Sequence, residues 1–443
     1  MPLRSATKVW ALVSLQSFGG PAGQIAVMQR TLVEDRRWVG SGRFQHALSF
    51  CTILPGPEAF QLAVYLGWLL NGLRGSLVAG GLFVLPGALL MAALSAVYVG
   101  FGDTTAVTAL FAGIAPAVLA IVAQAVLRVG RRALGRRALV AIAVAAFVAL
   151  AVFAVPFPAV VLAAAVAGWA LAHRSPGALT VDLGDTGPPP LVPDDALHED
   201  QPGPGRTARV LLLGLVAWGL PVAAAVVLTG RDSTLSTQGV FFSGTALVTF
   251  GGAYAVLAFV AQRAVETYGW LGPGEMVRGL GLAETTPGPL VLVLEFVAFI
   301  GAYRDPGSLN PWVAAGLGAA LTVWVTFVPA YLLVVLGAPY VEGLRHNRSV
   351  AGALAGVTAA VVGVIANLAL FFALHTLFAD RTRLDRGPLH VDLPDLTSLR
   401  PLPVSIAMVA AVLLFRLRWS VLRTLGACAL LGVAAALAGL TVT

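Results

Sequence analysis

Long uncharged apolar stretches alternate along this chain with short arginine-bearing connections. Residues 75–102, 104–127 and the 35-residue run 138–172 contain no Asp, Glu, Lys or Arg, and about 20 apolar residues suffice to cross a bilayer as a helix. Spanning helices are predicted near 76–100, 105–128, 138–154 and 156–173, then at 209–229, then near 311–338, 351–378, 401–415 and 424–441. Ahead of each set of four lie shorter arms that break in mid-run. Residues 6–18 provide 13 positions before Gly19-Gly20-Pro21, roughly 20 Å of helix at 1.5 Å per residue against hydrocarbon about 30 Å thick. Such an arm passes the middle and stops. The pattern predicts an all-α polytopic membrane protein in which two re-entrant helical hairpins precede the four spans of each set. The second pair falls around 240–263 and 276–303; single broken crossings are the alternative reading of the same breaks.

The two sets are copies. Sliding the sequence by 232 positions lays residues 18–57 on residues 250–289 without a gap, and thirteen of the forty positions are identical. Phe18-Gly19-Gly20 falls on Phe250-Gly251-Gly252, Glu34 on Glu266, Trp38 on Trp270 and Pro55-Gly56-Pro57 on Pro287-Gly288-Pro289. At an offset of 243, Pro86 meets Pro329, Gly113 meets Gly356 and Gln124 meets Asn367. Internal duplication is a common construction among secondary transporters. Residues 173–209 carry seven prolines and six acidic residues without helical or strand period, and read as a flexible linker. The expected organisation is a first repeat at 1–173, a cytoplasmic linker at 174–208, a linking span at 209–230 and a second repeat at 231–443. The connection bearing Arg128, Arg131, Arg132, Arg136 and Arg137 is placed in the cytoplasm by its charge. The extra span then turns the second repeat upside down.

Composition agrees and narrows the partners. With 58% hydrophobic and 11% charged residues and a mean hydropathy of +0.87, the chain has too little charge to cover a soluble surface. The formal charge of +7 comes from short loops, as the positive-inside rule requires, so nucleic acid is not the partner it implies; the lipid bilayer is. No cleavable signal pattern precedes residue 9. Cys51 and Cys428 lie in apolar runs and read as structural thiols rather than a disulfide framework. No metal cluster, cofactor motif or catalytic constellation stands out, and the only lysine, Lys8, follows Thr7 rather than the glycine of a P-loop. Any transport is therefore driven by gradients. A homodimer remains open.

The broken helices are the candidate chemistry. Unpaired backbone is tolerated in a membrane only where protein or trapped water receives it. A helix that begins after Gly20-Pro21 or after Pro55-Gly56-Pro57 aims free N–H groups and a partial positive charge at what lies before it, which suits an anion. The candidate ligand residues are Ser17, Gly19, Gly20, Pro21, Ala22, Gly23 and Gln24 at the first break, and Pro55, Gly56, Pro57, Glu58, Ala59 and Gln61 at the second. In the other copy they are Thr249, Gly251 and Gly252, then Thr285, Thr286, Pro287, Gly288 and Pro289. Taken singly, these breaks also read as plain kinks or turns. Glu58 and Glu284 flank the two Pro-Gly-Pro turns at membrane depth, where a carboxylate tends to be functional, and are the proton-coupling candidates; Glu58 could instead cap its helix. Glu295 reads as facing other helices. Trp38 and Trp270 read as interfacial anchors.

The stretches "SFGGPAGQIAVMQRTLVEDRRWV", "LPGPEAFQLAVYLGWLLNGLRG" and "LFVLPG", with "FGGAYAVLAFVAQRAVETYGWL" and "GLAETTPGPL" in the second copy, resemble the chromate ion transporter family in its long two-domain form. The resemblance covers most of the chain outside the linker. It implies a secondary transporter of the bacterial inner (plasma) membrane that exports chromate and confers resistance to it, with sulfate as a second oxyanion partner to consider. Physics favours the same direction: a dianion leaving a negative interior gains about 4.6 kcal/mol per 100 mV, at roughly 2.3 per charge.

Overall fold

The structure is a computed structural model and describes residues 2–18, 20–102, 104–174, 204–248, 253–338, 348–387 and 389–440. Gly19, Thr249, Gly251, Gly252 and linker residues 175–203 lie outside the described residues. The first half provides α1 (Leu3–Gln16), α2 (Gly20–Gln29), α3 (Ser41–Ile53), α4 (Glu58–Phe101), α5 (Thr105–Ala133), α6 (Arg137–Ala151) and α7 (Phe157–Arg174). After α8 (Pro204–Thr229) come α9 (Thr234–Val248), α10 (Ala253–Gln262), α11 (Pro273–Thr285), α12 (Val293–Arg304), α13 (Pro311–Gly337), α14 (Arg348–Leu377), α15 (Pro401–Ala411) and α16 (Val421–Leu437). Among the described residues five helices are long and apolar enough to cross a membrane, and four shorter apolar ones accompany them. The chain is a multi-pass, predominantly helical membrane protein.

Straight, the 44 residues of α4 would reach about 66 Å, more than twice the hydrocarbon thickness. They do not run straight. Asn71 (φ −143°, ψ 22°) and Gly72 (φ 60°, ψ −151°) leave the helix, and the chain doubles back. A Cβ on Gly75 would lie 2.1 Å from the Gly67 carbonyl oxygen, and one on Gly80 would lie 2.9 Å from Val64 Cγ2. Residues after the turn therefore lie against residues before it in descending order. Gly72 is glycine because its φ is positive. Pro57 thus starts a short arm, and the long span near 76–100 returns from it. In the second half α12 and α13 repeat this plan.

Local geometry recurs at the offset of 232 found in the sequence. The N–H of Arg36 donates to Thr31 O (3.2 Å) and that of Tyr268 to Arg263 O (2.9 Å); Trp38 N–H donates to Leu32 O (2.7 Å) and Trp270 N–H to Ala264 O (2.9 Å). Both turns follow π-helical stretches, Arg30–Asp35 and Arg263–Thr267. Positive φ recurs at Arg37 and Gly269 (52° and 62°) and at Gly56 and Gly288 (133° and 100°). The two tryptophans depart from the anchoring role expected of them. They are 8% and 6% exposed, Trp38 under the Arg36 guanidinium (5.4 Å) and Trp270 stacked on Tyr268 (4.5 Å), so they hold their turns rather than float in headgroups.

The chain forms two compact units, each drawn from both halves. Unit 1 comprises Met1–Ala92, Ser175–Ala253 and Thr286–Ala351; unit 2 comprises Ala93–Arg174, Tyr254–Thr285 and Gly352–Thr443. The chain changes unit after Ala253 and again after Thr285. The arms of the hairpins expected around 240–263 and 276–303 therefore belong to different units, whereas α1 packs on α2 within unit 1.

Small residues make unit 2. A Cβ on Gly113 would lie 1.9 Å from Cys428 O, and one on Gly432 would lie 2.4 Å from Ala109 O, so α5 and α16 touch backbone to backbone. A Cβ on Gly356 would likewise lie 2.1 Å from Ala164 O, pressing α14 on α7. Such close crossings replace hydrophobic burial as the association force in lipid. The pairing is reciprocal: α5 of the first half takes the last helix of the second, and α14 of the second takes the last helix of the first. Both cysteines are free and buried.

One element corrects the all-α expectation. Strands β1 (Arg381–Arg386) and β2 (Leu389–Pro394) form an antiparallel hairpin with Arg383 opposite Asp392 and Asp385 opposite His390. Opposite charges across the ladder and the positive φ of Gly387 (59°) favour it. Exposure of nearly every β1 side chain leaves the sequence without the alternation that announces a strand.

Candidate anion site

The first break begins where α1 ends. Ser17 leaves the helix (φ −83°, ψ 75°), its Oγ donating back to Val13 O at 2.6 Å. Gly20, at φ 72°, opens α2. Pro21 and Ala22 fill the first turn, where a missing proline N–H costs nothing. Gly23 is held to glycine by proximity: a Cβ there would lie 2.4 Å from Phe18 O.

The fourth break, Pro287-Gly288-Pro289, meets the first. Gly288 N–H donates to Ser17 O at 3.0 Å, and Gly288 O accepts from Gln24 Nε2 at 2.5 Å. Both peptide groups of one turn residue are thus bound to a break 264 positions or more upstream, as Gln24 and Ser17 stand to Gly288. Pro289 precedes the helical turn Leu290–Leu292 that leads into α12, and the first N–H groups of a helix lack intrahelical partners. Residues of α4 press on the same turn. A Cβ on Gly87 would lie 2.2 Å from Pro287 O, and one on Gly288 would lie 3.3 Å from Phe83 O. Buried Thr286 (3% exposed) completes this face.

The second break forms its own turn in the same unit. Gly56 (φ 133°) is enclosed by Gln61 Nε2 and Ala330 Cβ, which an added Cβ would meet at 2.7 and 2.8 Å. Gln61 Nε2 donates to Pro55 O at 2.8 Å, and Gln61 N–H to Pro57 O at 3.0 Å. Glu58 and Ala59 lie in the first turn of α4, and Phe60 meets Phe327 of α13 at 4.9 Å, edge to face.

Several side chains expected as anion donors are already engaged. The hydroxyl of Ser17 is given to Val13, that of Thr285 to Leu282 O (2.7 Å), and one N–H each of Gln24 and Gln61 to the turns. Thr285 and Glu284 moreover belong to unit 2, where Tyr254 OH donates to Glu284 Oε1 at 2.5 Å. These side chains fasten the turns.

Arg30 and Arg36 line a groove of about 500 Å³ that opens beside Gln16, next to Ser17. Arg30 meets Asp35 there at 3.9 Å rather than Glu34. Net positive charge in a groove raises the local anion concentration. The sequence reading missed Gly87 as a site residue, whose only signal was a glycine after Pro86. Replacing Gln24 by Leu removes the cross-break bond and leaves Gly288 O buried without it, a loss of about 1–3 kcal/mol. Reduced transport at near-normal membrane abundance is the expected phenotype, read by flux per amount of protein.

The family described as Chromate transporter matches residues 5–169 and 237–437. The chain belongs to the chromate transporter family. Its two matched regions leave out the linker and all of α8. The chromate transport protein of Pseudomonas aeruginosa is 34% identical over 420 residues, 91% of this chain and 85% of that one. That of Cupriavidus metallidurans is 28% identical over 85% of this chain and 84% of its own length. An uncharacterized transporter of Methanocaldococcus jannaschii is 22% identical over 82% of each. No solved structure matches the chain. In this chromate transporter family member the helix breaks around Ser17 and Gly288 meet within unit 1.

Proposed function

We propose that this protein is a secondary active transporter that exports chromate, a tetrahedral dianion, across the bacterial inner membrane, holding the anion at the joined helix breaks near the midplane. The single observation that carries the reading is the bonding of Gly288 to Ser17 and Gln24, which brings two helix starts, at Gly20 and Leu290, to one place in a mostly apolar unit. Helix N-termini with close-approach glycines are a ready site for oxyanions. In this reading the repeats 1–173 and 231–443 are inverted copies joined by the linker 174–208 and the span 209–230. The half-length helices are their re-entrant arms. Glu58 and Glu284 are candidates for proton coupling, and the electrical gain of moving a dianion outward sets the direction.

The test is flux of labelled chromate and labelled sulfate in sealed vesicles of defined orientation and imposed potential. Potential-driven chromate movement toward the positive side is expected, with sulfate competing, because peptide donors discriminate weakly between two tetrahedral dianions. Chromate flux equal to that of protein-free vesicles would end the reading. A preference for sulfate alone would move it to sulfate transport.

A further inference from the structure

Unit 1 contains a line of buried oxygens that no described group satisfies. Gln61 Oε1, Thr326 Oγ1, Thr322 Oγ1, Glu295 Oε2 and Gln238 Oε1 all lack a hydrogen-bond partner, and the five residues are at most 5% exposed. Buried polar atoms without partners are uncommon enough that a run of them calls for a ligand or a proton.

Helix geometry puts them in order. Gly318, Thr322, Thr326 and Ala330 are spaced by four on α13 and so share one face. At one end Ala330 abuts Gly56 and its neighbour Gln61. At the other, Gly318 abuts Gln238 Oε1 (2.7 Å from an added Cβ) and Ala298 O (3.2 Å), while Gln238 Nε2 donates to Ala298 O at 3.0 Å. The hairpin of α12 and α13 is antiparallel, so the pairing of residue 298 with 318 places Glu295 level with residue 321, next to Thr322. On α9, Thr245 returns its hydroxyl to the carbonyl four residues earlier, Phe241 O (2.8 Å). Thr322 and Thr326 do not, which leaves their hydroxyls available.

We propose that Glu295, rather than the candidates Glu58 and Glu284, is the proton-binding site of this transporter and takes up a proton when the anion binds at the adjoining Pro287-Gly288-Pro289 turn. The proposal rests on the anion-transport reading. Glu295 stands in the first turn of α12, the same positive helix end that faces the turn. An ionised carboxylate there neutralises the field that an anion would use; a protonated one leaves it to the anion. The proton comes from water, bonds to Oε2 and gives the line a donor where it otherwise holds mostly acceptors.

A metal ion fits less well, since hard cations gather their oxygens within about 2.5 Å, whereas consecutive members on α13 are about 6 Å apart along the helix. Ionisable groups on the surrounding elements are few. α9 has none, and α13 has Tyr331, whose hydroxyl shares a hydrogen bond with Ser76 at 2.8 Å. α4 brings Glu58 at the Gln61 end; α12 has Arg304 in its last turn. Arg209 precedes Gly214, which meets Leu332 at the far part of α13, and Arg4 and Lys8 lie at the far part of α1 from Ser17.

Equilibrium binding of labelled chromate to the full chain in lipid nanodiscs tests this, from neutral pH upward, where chromate is the dianion. Wild-type affinity should fall about tenfold per pH unit once Glu295 deprotonates, with proton uptake on chromate addition in weak buffer. Glu295→Gln should bind at every pH with the affinity of the protonated wild type and take up no proton, which a merely structural carboxyl would not produce. A flat wild-type profile, or an unchanged slope in Glu295→Gln, overturns the proposal. So does affinity that follows sodium instead of pH. If Glu295→Gln does not fold, Glu295→Asp must shift the profile along the pH axis, and an unmoved profile is equally fatal. No chromate binding by wild type at any pH would instead reject the anion reading itself.

Discussion

Gly87→Ala is expected to abolish chromate export while the protein still reaches the membrane. The added methyl would lie 2.2 Å from the Pro287 carbonyl oxygen, a backbone atom with no rotamer to change. Overpacking of this kind costs about 1–3 kcal/mol, and the cheapest relief is displacement of the turn. Moving the turn pulls Gly288 from Ser17 and Gln24 and disperses the helix starts that the anion needs. Gly288→Ala should act similarly, because a side chain at φ 100° is strained by about 1–3 kcal/mol. Gly81→Ala is the matched control on α4, where nothing lies within 4 Å of an added Cβ. Growth of a chromate-sensitive host, with membrane abundance measured alongside, reads all three. Normal resistance in Gly87→Ala would mean that the turn takes no part in transport.

The second large effect is electrical. With pH equal on both sides, a carrier moving the dianion alone would build a chromate ratio of about 2,000-fold per 100 mV, from roughly 4.6 kcal/mol and 1.4 kcal/mol per factor of ten. If one proton travels with each anion, as the Glu295 proposal implies, a single net charge moves and the ratio falls to about 50-fold. Wild type is therefore expected near the lower value. Glu295→Gln, if it cycles, is expected near the higher one. Steady-state ratios in vesicles under a potassium diffusion potential separate the two, and a wild-type slope of two charges would mean that no proton accompanies the anion.

Much of the architecture was legible because lipid enforces simple rules. Runs without charge became apolar helices, five of the described ones long enough to cross a membrane, and the offset of 232 carried through to hydrogen bonds, as at Trp38 and Trp270. The reversal at Asn71 and Gly72 was less visible: one uncharged glycine in a run rich in glycine carries no distinguishing sign, although the predicted span near 76–100 began after it. The β-hairpin was hidden because nearly every β1 side chain is exposed. The breaks were legible as breaks, since proline and glycine act on the backbone wherever they stand. Which breaks would meet was not, because that depends on helix packing. The hydroxyls of Ser17 and Thr285 are engaged for a local reason that the sequence pattern did not single out: a hydroxyl in or just after a helix finds the carbonyl three or four residues back. Glu295 was read as facing other helices; that its Oε2 and the hydroxyls of Thr322 and Thr326 on α13 all lack partners appears only in the structure.

The reciprocal exchange in unit 2 bears on ancestry. Since α5 receives its closing helix from the other half and α14 receives its own in the same manner, a single half would have one docking groove unfilled and one helix undocked. Two identical short chains could repair both deficits at once by trading ends. Closing unit 2 therefore takes a contribution from each half, and neither half is complete by itself.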